Sequence, residues 1–203
     1  MKIKTLLLGT FVLASAVASN PALAVEKGDW LIRAGWTYVA PKSDNHDVVS
    51  VESASSLGLN FSYMMTSNLS VEVLAAYPFE HDIRLKGTDD KVASTKHLPP
   101  TVSVQYHFMP TNAFKPYVGL GVNYTTFFST KTMGALEGTD LDLGDSWGLA
   151  GEIGADFMMT DNWLLNFSAR YIDIGTKAKL DGASLGTVDI DPMVYSLTVG
   201  YKF

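Results

Sequence analysis

Eight stretches of the chain alternate between apolar and polar residues with a period of two, which is the periodicity of a β-strand. They run over residues 29–39, 55–65, 69–79, 99–108, 115–128, 147–158, 163–173 and 193–203. The last is the clearest, with one wholly apolar face formed by Met193, Tyr195, Leu197, Val199, Tyr201 and Phe203. Each stretch therefore predicts a strand that buries one face and presents a different surface on the other.

The lengths of these stretches and of their connections narrow the fold class. Most stretches have roughly 10–12 residues, about twice the usual soluble strand and enough for a tilted bilayer crossing. Short turns follow the second, fourth and sixth stretches, whereas long connections follow the first, third, fifth and seventh. We predict an all-β protein, an eight-stranded antiparallel transmembrane β-barrel with short periplasmic turns and long extracellular loops. A secreted soluble barrel of lipocalin type is the alternative.

Aromatic residues gather near both ends of the predicted strands, as amphipathic rings do at the two membrane interfaces. Those near the short turns are Trp30, Tyr106, Phe108, Trp163, Tyr201 and Phe203. Those nearer the long loops are Trp36, Tyr38, Tyr77, Phe79, Phe128, Trp147, Tyr171 and Tyr195. Two such girdles favour the membrane barrel.

The first 24 residues predict a cleaved secretory signal. Lys2 and Lys4 precede an apolar run, and Ala22-Leu23-Ala24 supplies small residues at the cleavage site. Residues 25–203 then form a single barrel domain. Loss of the two lysines takes the formal net charge from −6 to −8, which disfavours nucleic-acid binding. The chain has no cysteine, and we expect neither a cofactor nor a metal.

The inward faces differ between the two halves of the predicted barrel. Near the short turns they carry charges of both signs, which must pair if they are buried and would then plug the lumen: Arg33, Glu72, Glu152, Asp156 and Lys202. His107, Gln105 and Ser70 lie among them. Towards the long loops the inward positions are apolar: Val39, Leu74, Ala76, Pro78, Phe127 and Ile172. An apolar upper lumen suits a hydrophobic solute, although these side chains could equally pack against each other.

Two prolines begin the fourth predicted strand, in the stretch HLPPTVSVQYHF at 97–108. Neither Pro99 nor Pro100 can donate a backbone hydrogen bond, and lipid offers no replacement for a missing one. We predict that they hold open a lateral exit in the barrel wall.

Six stretches give the chain a specific likeness across nearly all of its predicted mature length. They are LGLNFSYM at 57–64, NLSVEVLAAYPF at 68–79, KHLPPT at 96–101, KPYVGLGVNYTTFF at 115–128, DSWGLAGEIG at 145–154 and GYKF at 200–203. In these the chain resembles the OmpW family of small outer-membrane barrels. The resemblance implies a hydrophobic channel that takes up small hydrophobic molecules and releases them sideways into the outer leaflet. It also implies a constriction at Leu74, opposite a position where the family tends to have Trp and this chain has Arg170.

Other functions remain open at this stage. A structural or adhesive barrel with an inert lumen is the main alternative, and an ion-conducting pore is another. An enzyme is disfavoured because His97 and His107, taken as one strand, lie about 33 Å apart at the rise of a strand. We expect His46 and His81 in loops.

The long loops and the C-terminus suggest partners beyond the solute. The predicted loops hold fifteen carboxylates and eight Lys or Arg residues, which is typical of a solvated surface and could bridge through divalent ions to lipopolysaccharide. Phage or bacteriocin docking on these loops is possible. We expect outer-membrane lipids around the wall and recognition of the terminal Phe203 by the outer-membrane assembly machinery.

Overall fold

The fold is all-β, and the structure, a computed structural model, describes residues 23–43 and 47–203. The described residues form fourteen strands. These are β1 (Trp30–Ala40), β2 (Val49–Val51), β3 (Ala54–Met64), β4 (Leu69–Ala76), β5 (Phe79–Leu85), β6 (Lys91–Leu98), β7 (Thr101–His107), β8 (Phe114–Thr132), β9 (Leu141–Leu143), β10 (Ser146–Met158), β11 (Trp163–Ile172), β12 (Gly175–Leu180), β13 (Ala183–Asp189) and β14 (Met193–Lys202). Within the described ranges no helix has the length and apolarity to cross a membrane.

Eight of the strands close a barrel. Its order is β1, β3, β4, β7, β8, β10, β11 and β14, and β14 pairs back onto β1. All of these pairings are antiparallel, and short turns join β3 to β4, β7 to β8 and β10 to β11. The predicted eight-stranded barrel is confirmed, and closure leaves no strand edge unpaired along most of the wall.

The outer face of the barrel is apolar and exposed, as a lipid-facing wall requires. Leu120, Leu149 and Ile153 are 76%, 69% and 64% exposed. A soluble protein rarely leaves so continuous an apolar band uncovered. The four tryptophans, Trp30, Trp36, Trp147 and Trp163, all lie on this outer face and are all exposed.

Much of what we predicted as long loops is folded. β2, β5, β6 and the part of β8 beyond Thr125 form one wall, and β9, β12 and β13 form a separate three-stranded sheet. We call these strands together the extension. It continues the barrel beyond the ends of β4 and β7, on the side opposite the short turns.

The prediction that Phe79 belongs to the aromatic girdle is wrong. In β4 the even-numbered residues face inward, up to Leu74 and Ala76, but in β5 the buried positions are odd-numbered. The alternation therefore reverses at Tyr77-Pro78, because proline interrupts the strand. Phe79 is 1% exposed and faces the interior.

The predicted signal peptide falls almost wholly outside the described residues, which begin at Leu23, and so does His46. The division into a signal and a single mature domain stays a prediction. Val25 is already part of the fold, since its backbone N–H donates to the carbonyl of Pro110 at 2.9 Å.

Candidate functional site

The lumen is crossed by a ring of buried ion pairs. Arg33 on β1 donates through Nε and Nη2 to both carboxylate oxygens of Asp156 on β10, at 2.9 and 2.6 Å. Its Nη1 lies 3.2 Å from Glu72 on β4. Arg170 on β11 joins Glu72 to Glu152 on β10, at 2.5 and 2.8 Å. The ring begins and ends on β10, and its side chains are at most 4% exposed.

Uncharged polar groups supply further hydrogen bonds to this ring, as buried charges require, although Nε of Arg170 has no partner among the described residues. Gln105 Nε2 donates to Glu152 at 3.0 Å, Asn166 Nδ2 donates to Asp156 at 2.9 Å, and Ser62 Oγ accepts from Arg33 at 2.7 Å. We call the five charged residues and these neighbours the plug. Its ion pairs link β1, β4, β10 and β11 across the lumen.

Tyr117 fixes the position of one side of the plug. Its hydroxyl donates to Glu152 at 3.3 Å and accepts from Asn166 at 3.0 Å. Its ring lies directly over Gly154, where a Cβ would stand only 2.4 Å from Cζ of the ring. Glycine is therefore needed at 154 for Tyr117 to reach the plug.

The plug differs from the predicted set at two residues. Arg33, Glu72, Glu152 and Asp156 come together as expected, but Lys202 does not join them. It is the last residue of β14, near the short turns, and its Nζ donates to the carbonyl of Ala24 at 2.6 Å. Arg170, predicted at a constriction with Leu74, is the second cation of the ring.

An apolar cluster lies next to the plug, further from the short turns; on β10 and β11 it begins one inward position beyond the plug, at Ala150 and Ile172. Val39, Ala76, Phe127 and Ile172 belong to it, together with Ala150 and Val194 of the barrel and Ala178 and Val188 of the extension. Leu74, one inward position beyond Glu72, is 4% exposed, and Pro78 is partly buried. The predicted apolar positions are thus largely brought together, packed against each other.

The extension encloses a cavity of about 360 Å³, within the usual range for a small-molecule site. Fourteen of its eighteen lining side chains are apolar, so it favours a hydrophobic occupant. Phe127 lines it, whereas the other five predicted channel residues do not. Val48 and Leu185 also line it and are 56% and 48% exposed, which puts its mouth at the outer surface of the extension.

The barrel wall has a break in pairing beside this cavity. β4 pairs with β7 up to Leu74 opposite Thr101, and β5 resumes pairing with β6 at Phe79 opposite His97. Between these points residues 75–78 face residues 98–100, with no ladder pairing among these described residues. We call this break the seam.

The seam is confined to one side of each strand. Tyr77 N–H donates to the carbonyl of Leu57 on β3 at 2.9 Å, and Tyr124 N–H on β8 donates to the carbonyl of Pro100 at 3.0 Å. The outer edges of both strands are therefore held in the wall. Pro99 and Pro100, the predicted lateral opening, are two of the three residues on one side of the seam.

Two histidines stack in the cavity wall. The rings of His81 and His97 lie 4.8 Å apart between centroids, and Phe79 stacks on His97 at 5.5 Å. Burial, with the neighbouring His81, lowers the pKa of His97 to about 3, and burial also lowers the pKa of His81. Both rings are therefore neutral at physiological pH.

The sequence-based placement of the histidines is wrong in two respects. His81 lies on β5 rather than in a loop, and its alternating neighbours in FEHDIRL at 79–85 are the signal that could have shown it. His97 and His107 lie on different strands, because the two prolines separate β6 from β7. His107 Nε2 lies 3.0 Å from Ser70 Oγ.

Comparison with known proteins gives consistent matches over nearly the whole chain. A family model described as the OmpW family matches residues 26–203. Outer membrane protein W of Vibrio cholerae is 44% identical over 98% of this chain and 100% of its own length. The crystal structure of OprG from Pseudomonas aeruginosa superposes with a TM-score of 0.79 at 40% identity, covering 89% of this chain and 98% of OprG. The solid-state NMR structure of AlkL gives a TM-score of 0.67 at 27% identity, covering 88% and 91%.

Proposed function

The chain belongs to the OmpW family of outer-membrane barrels, and from that premise we propose that it admits small hydrophobic molecules passively and releases them sideways into the membrane. The observation that carries the proposal is the apolar cavity of about 360 Å³ above a closed floor. A solute that enters at Val48 and Leu185 meets an apolar wall at each step.

The plug supports release through the wall rather than into the periplasm. Five paired charges and their hydrogen bonds fill the lumen, and an apolar solute offers them no replacement partner. Displacement of Arg33 would leave Asp156 buried without its counter-ion, and displacement of Arg170 would do the same to Glu152. Passage through the plug into the periplasm should therefore cost more free energy than release through the barrel wall.

The seam supports a specific exit. His97 and Phe127 line the cavity, and Leu98, Pro99 and Pro100 follow His97 directly along the chain. Because no ladder hydrogen bond crosses the seam, it can widen without breaking one. Leu74 and Arg170 lie at the lower limit of this route, where the apolar surface gives way to the plug.

One test fills the cavity. Ala178 is buried on β12 and lines the cavity, so Ala178→Phe places a ring inside it. Uptake of a hydrophobic probe by cells that lack the native protein and express the variant should fall towards the level of uncomplemented cells. Ala183→Phe, at the exposed first residue of β13, is the matched control and should leave uptake unchanged.

A second test closes the seam. The carbonyl of Pro100 already faces Tyr124 on β8, so the residue that can return a backbone donor to the side of residues 75–78 is Pro99. Pro99→Thr restores that donor, and uptake should slow while the barrel folds normally. Pro116→Val, on β8 near the short turns, changes a proline away from the seam. If the cavity-filling and the seam variants both transport like the parent, the lumen is inert and the adhesive or structural alternative is favoured.

A further inference from the structure

The cavity wall contains two polar atoms that have no partner. Nε2 of His81 and Nε2 of His97 are both buried and lack a hydrogen-bond partner among the described residues. The two residues are 2% and 3% exposed, and both rings line the cavity. A buried polar atom without a partner is destabilising by about 1–3 kcal/mol, so such a pair in one wall needs an explanation.

The other polar side chains of the wall are already paired. Thr95 Oγ1 lies 3.1 Å from Thr130 Oγ1, and Thr176 Oγ1 donates to the carbonyl of Gly144 at 2.6 Å. The unused hydrogen-bonding capacity of the cavity is thus concentrated at the stacked imidazoles. An occupant with one polar group would find its partners there and an apolar surface elsewhere.

The chemistry of that polar group follows from the state of the rings. His81 Nδ1 contacts the backbone carbonyl of Glu52, which can only accept, so Nδ1 carries the proton. In a neutral imidazole the other nitrogen is then an acceptor. Nε2 of His81 therefore requires a donor from the ligand.

We propose that His81 and His97 form the head-group end of the cavity, which binds compact aliphatic molecules carrying one hydroxyl group. The hydroxyl donates to His81 Nε2. It accepts from His97 Nε2, in the neutral tautomer of His97 that carries its proton on that nitrogen. The hydrocarbon chain occupies the apolar remainder. This inference rests on the proposed function, since it names the solute class for the same cavity.

The same geometry disfavours three related ligand classes. An alkane leaves both Nε2 atoms unpaired. An ether can accept from His97 but has no proton for His81. A carboxylate has no proton either, and it would bring a charge into an apolar cavity beside two neutral rings.

The experiment compares three probes that each have nine non-hydrogen atoms: 1-octanol, heptyl methyl ether and nonane. The full-length mature barrel, labelled with ¹⁵N-histidine, is titrated in lipid nanodiscs, with each probe expressed as its mole fraction in the lipid. Binding and the ¹⁵N resonances of the imidazoles are followed together. His107, whose Nε2 is already within hydrogen-bond distance of Ser70, serves as the internal control.

We expect 1-octanol to bind about tenfold more tightly than the ether or nonane, and to shift the Nε2 resonances of His81 and His97 but not of His107. His81→Phe and His97→Phe should each abolish this preference while nonane still binds. Equal binding of all three probes without shifts at His81 and His97 overturns the inference and leaves the proposed function standing. Absence of binding by every probe overturns both. Should either variant fail to fold, the comparison of the three probes on the parent protein still tests whether the cavity prefers a hydroxyl group.

Discussion

The ring of ion pairs in the plug predicts a large energetic coupling between Arg33 and Asp156. Arg33→Met leaves Asp156 with Asn166 as its side-chain hydrogen-bond partner among the described residues, and leaves Arg170, paired with Glu72 and Glu152, as the remaining cation of the ring. Asp156→Leu leaves Arg33 fully buried, with Glu72 3.2 Å away as its one remaining counter-ion in the described structure. Each single change should lower the free energy of unfolding by about 3–5 kcal/mol, because it removes the bidentate partner of a buried charge.

The double variant Arg33→Met/Asp156→Leu should lie within about 2 kcal/mol of the parent, since it replaces a paired set of charges with apolar side chains. Urea unfolding from lipid vesicles measures this well, because all four tryptophans face lipid and their fluorescence reports their transfer to water. Added salt should leave the coupling unchanged, since buried charges are poorly screened. Lys42→Met, which removes an exposed ion pair to Asp191, is the control and should barely move the midpoint. Additive losses in the double variant, or single variants as stable as the parent, would refute the ring as a coupled unit.

Three further outcomes follow from particular contacts. Gly154→Ala should destabilise the barrel by about 1–3 kcal/mol in the same urea assay, because its Cβ displaces Tyr117 from Glu152 and Asn166, whereas Gly151→Ala, whose Cβ meets its nearest atom at 4.0 Å, should be nearly neutral. The folded-state pKa of His97 is about 3, below the unfolded value of about 6.5, so an opened β5–β6 segment binds a proton that the folded one does not. Stability of this segment should therefore fall as pH drops from about 6.5 towards 3, by up to about 1 kcal/mol per pH unit, seen as faster hydrogen exchange after correction for intrinsic rates; an unchanged pH dependence in His97→Phe would contradict this origin. In planar bilayers the parent should show no steady ion current, because the plug spans the lumen, and Arg33→Ala with Arg170→Ala should introduce one.

The barrel strands were predictable because every side chain that faces lipid must be apolar, which produces a regular alternation along each strand. Predicted stretches such as 29–39 and 163–173 agree within about a residue with Trp30–Ala40 and Trp163–Ile172. The extension was not predicted, because no lipid makes its outward positions uniformly apolar and because the alternation reverses at Pro78, between β4 and β5. FEHDIRL at 79–85 alternates as clearly as a barrel strand, but its buried positions are odd-numbered while those of β4 are even-numbered.

The plug was partly predictable in the same sense. Alternation identifies inward charges, and a short turn identifies which of them face each other. The turn at 160–162 places Glu152 directly opposite Arg170 across β10 and β11, so this pair could have been found from register alone. The Arg33–Asp156 pair could not, since β1 and β10 are not neighbours and the contact exists only once the barrel has closed. Lys202 carries the right charge but stands too near the end of its strand.

The order of these features along the barrel axis explains why a break in the wall can be tolerated where it occurs. Beside the plug, a missing ladder bond would let water or lipid headgroups reach ion pairs whose strength depends on their being dry. Beside the apolar cluster, the same break lets lipid chains meet only apolar side chains. The wall there lacks backbone hydrogen bonds, but no side-chain ion pair is weakened. Pro78 on one strand and Pro99 and Pro100 on the other remove donors in just this band, between Leu74 and Phe79. The seam and the plug are therefore mutually dependent: a closed floor makes a lateral opening useful, and an apolar lumen above that floor makes it physically tolerable.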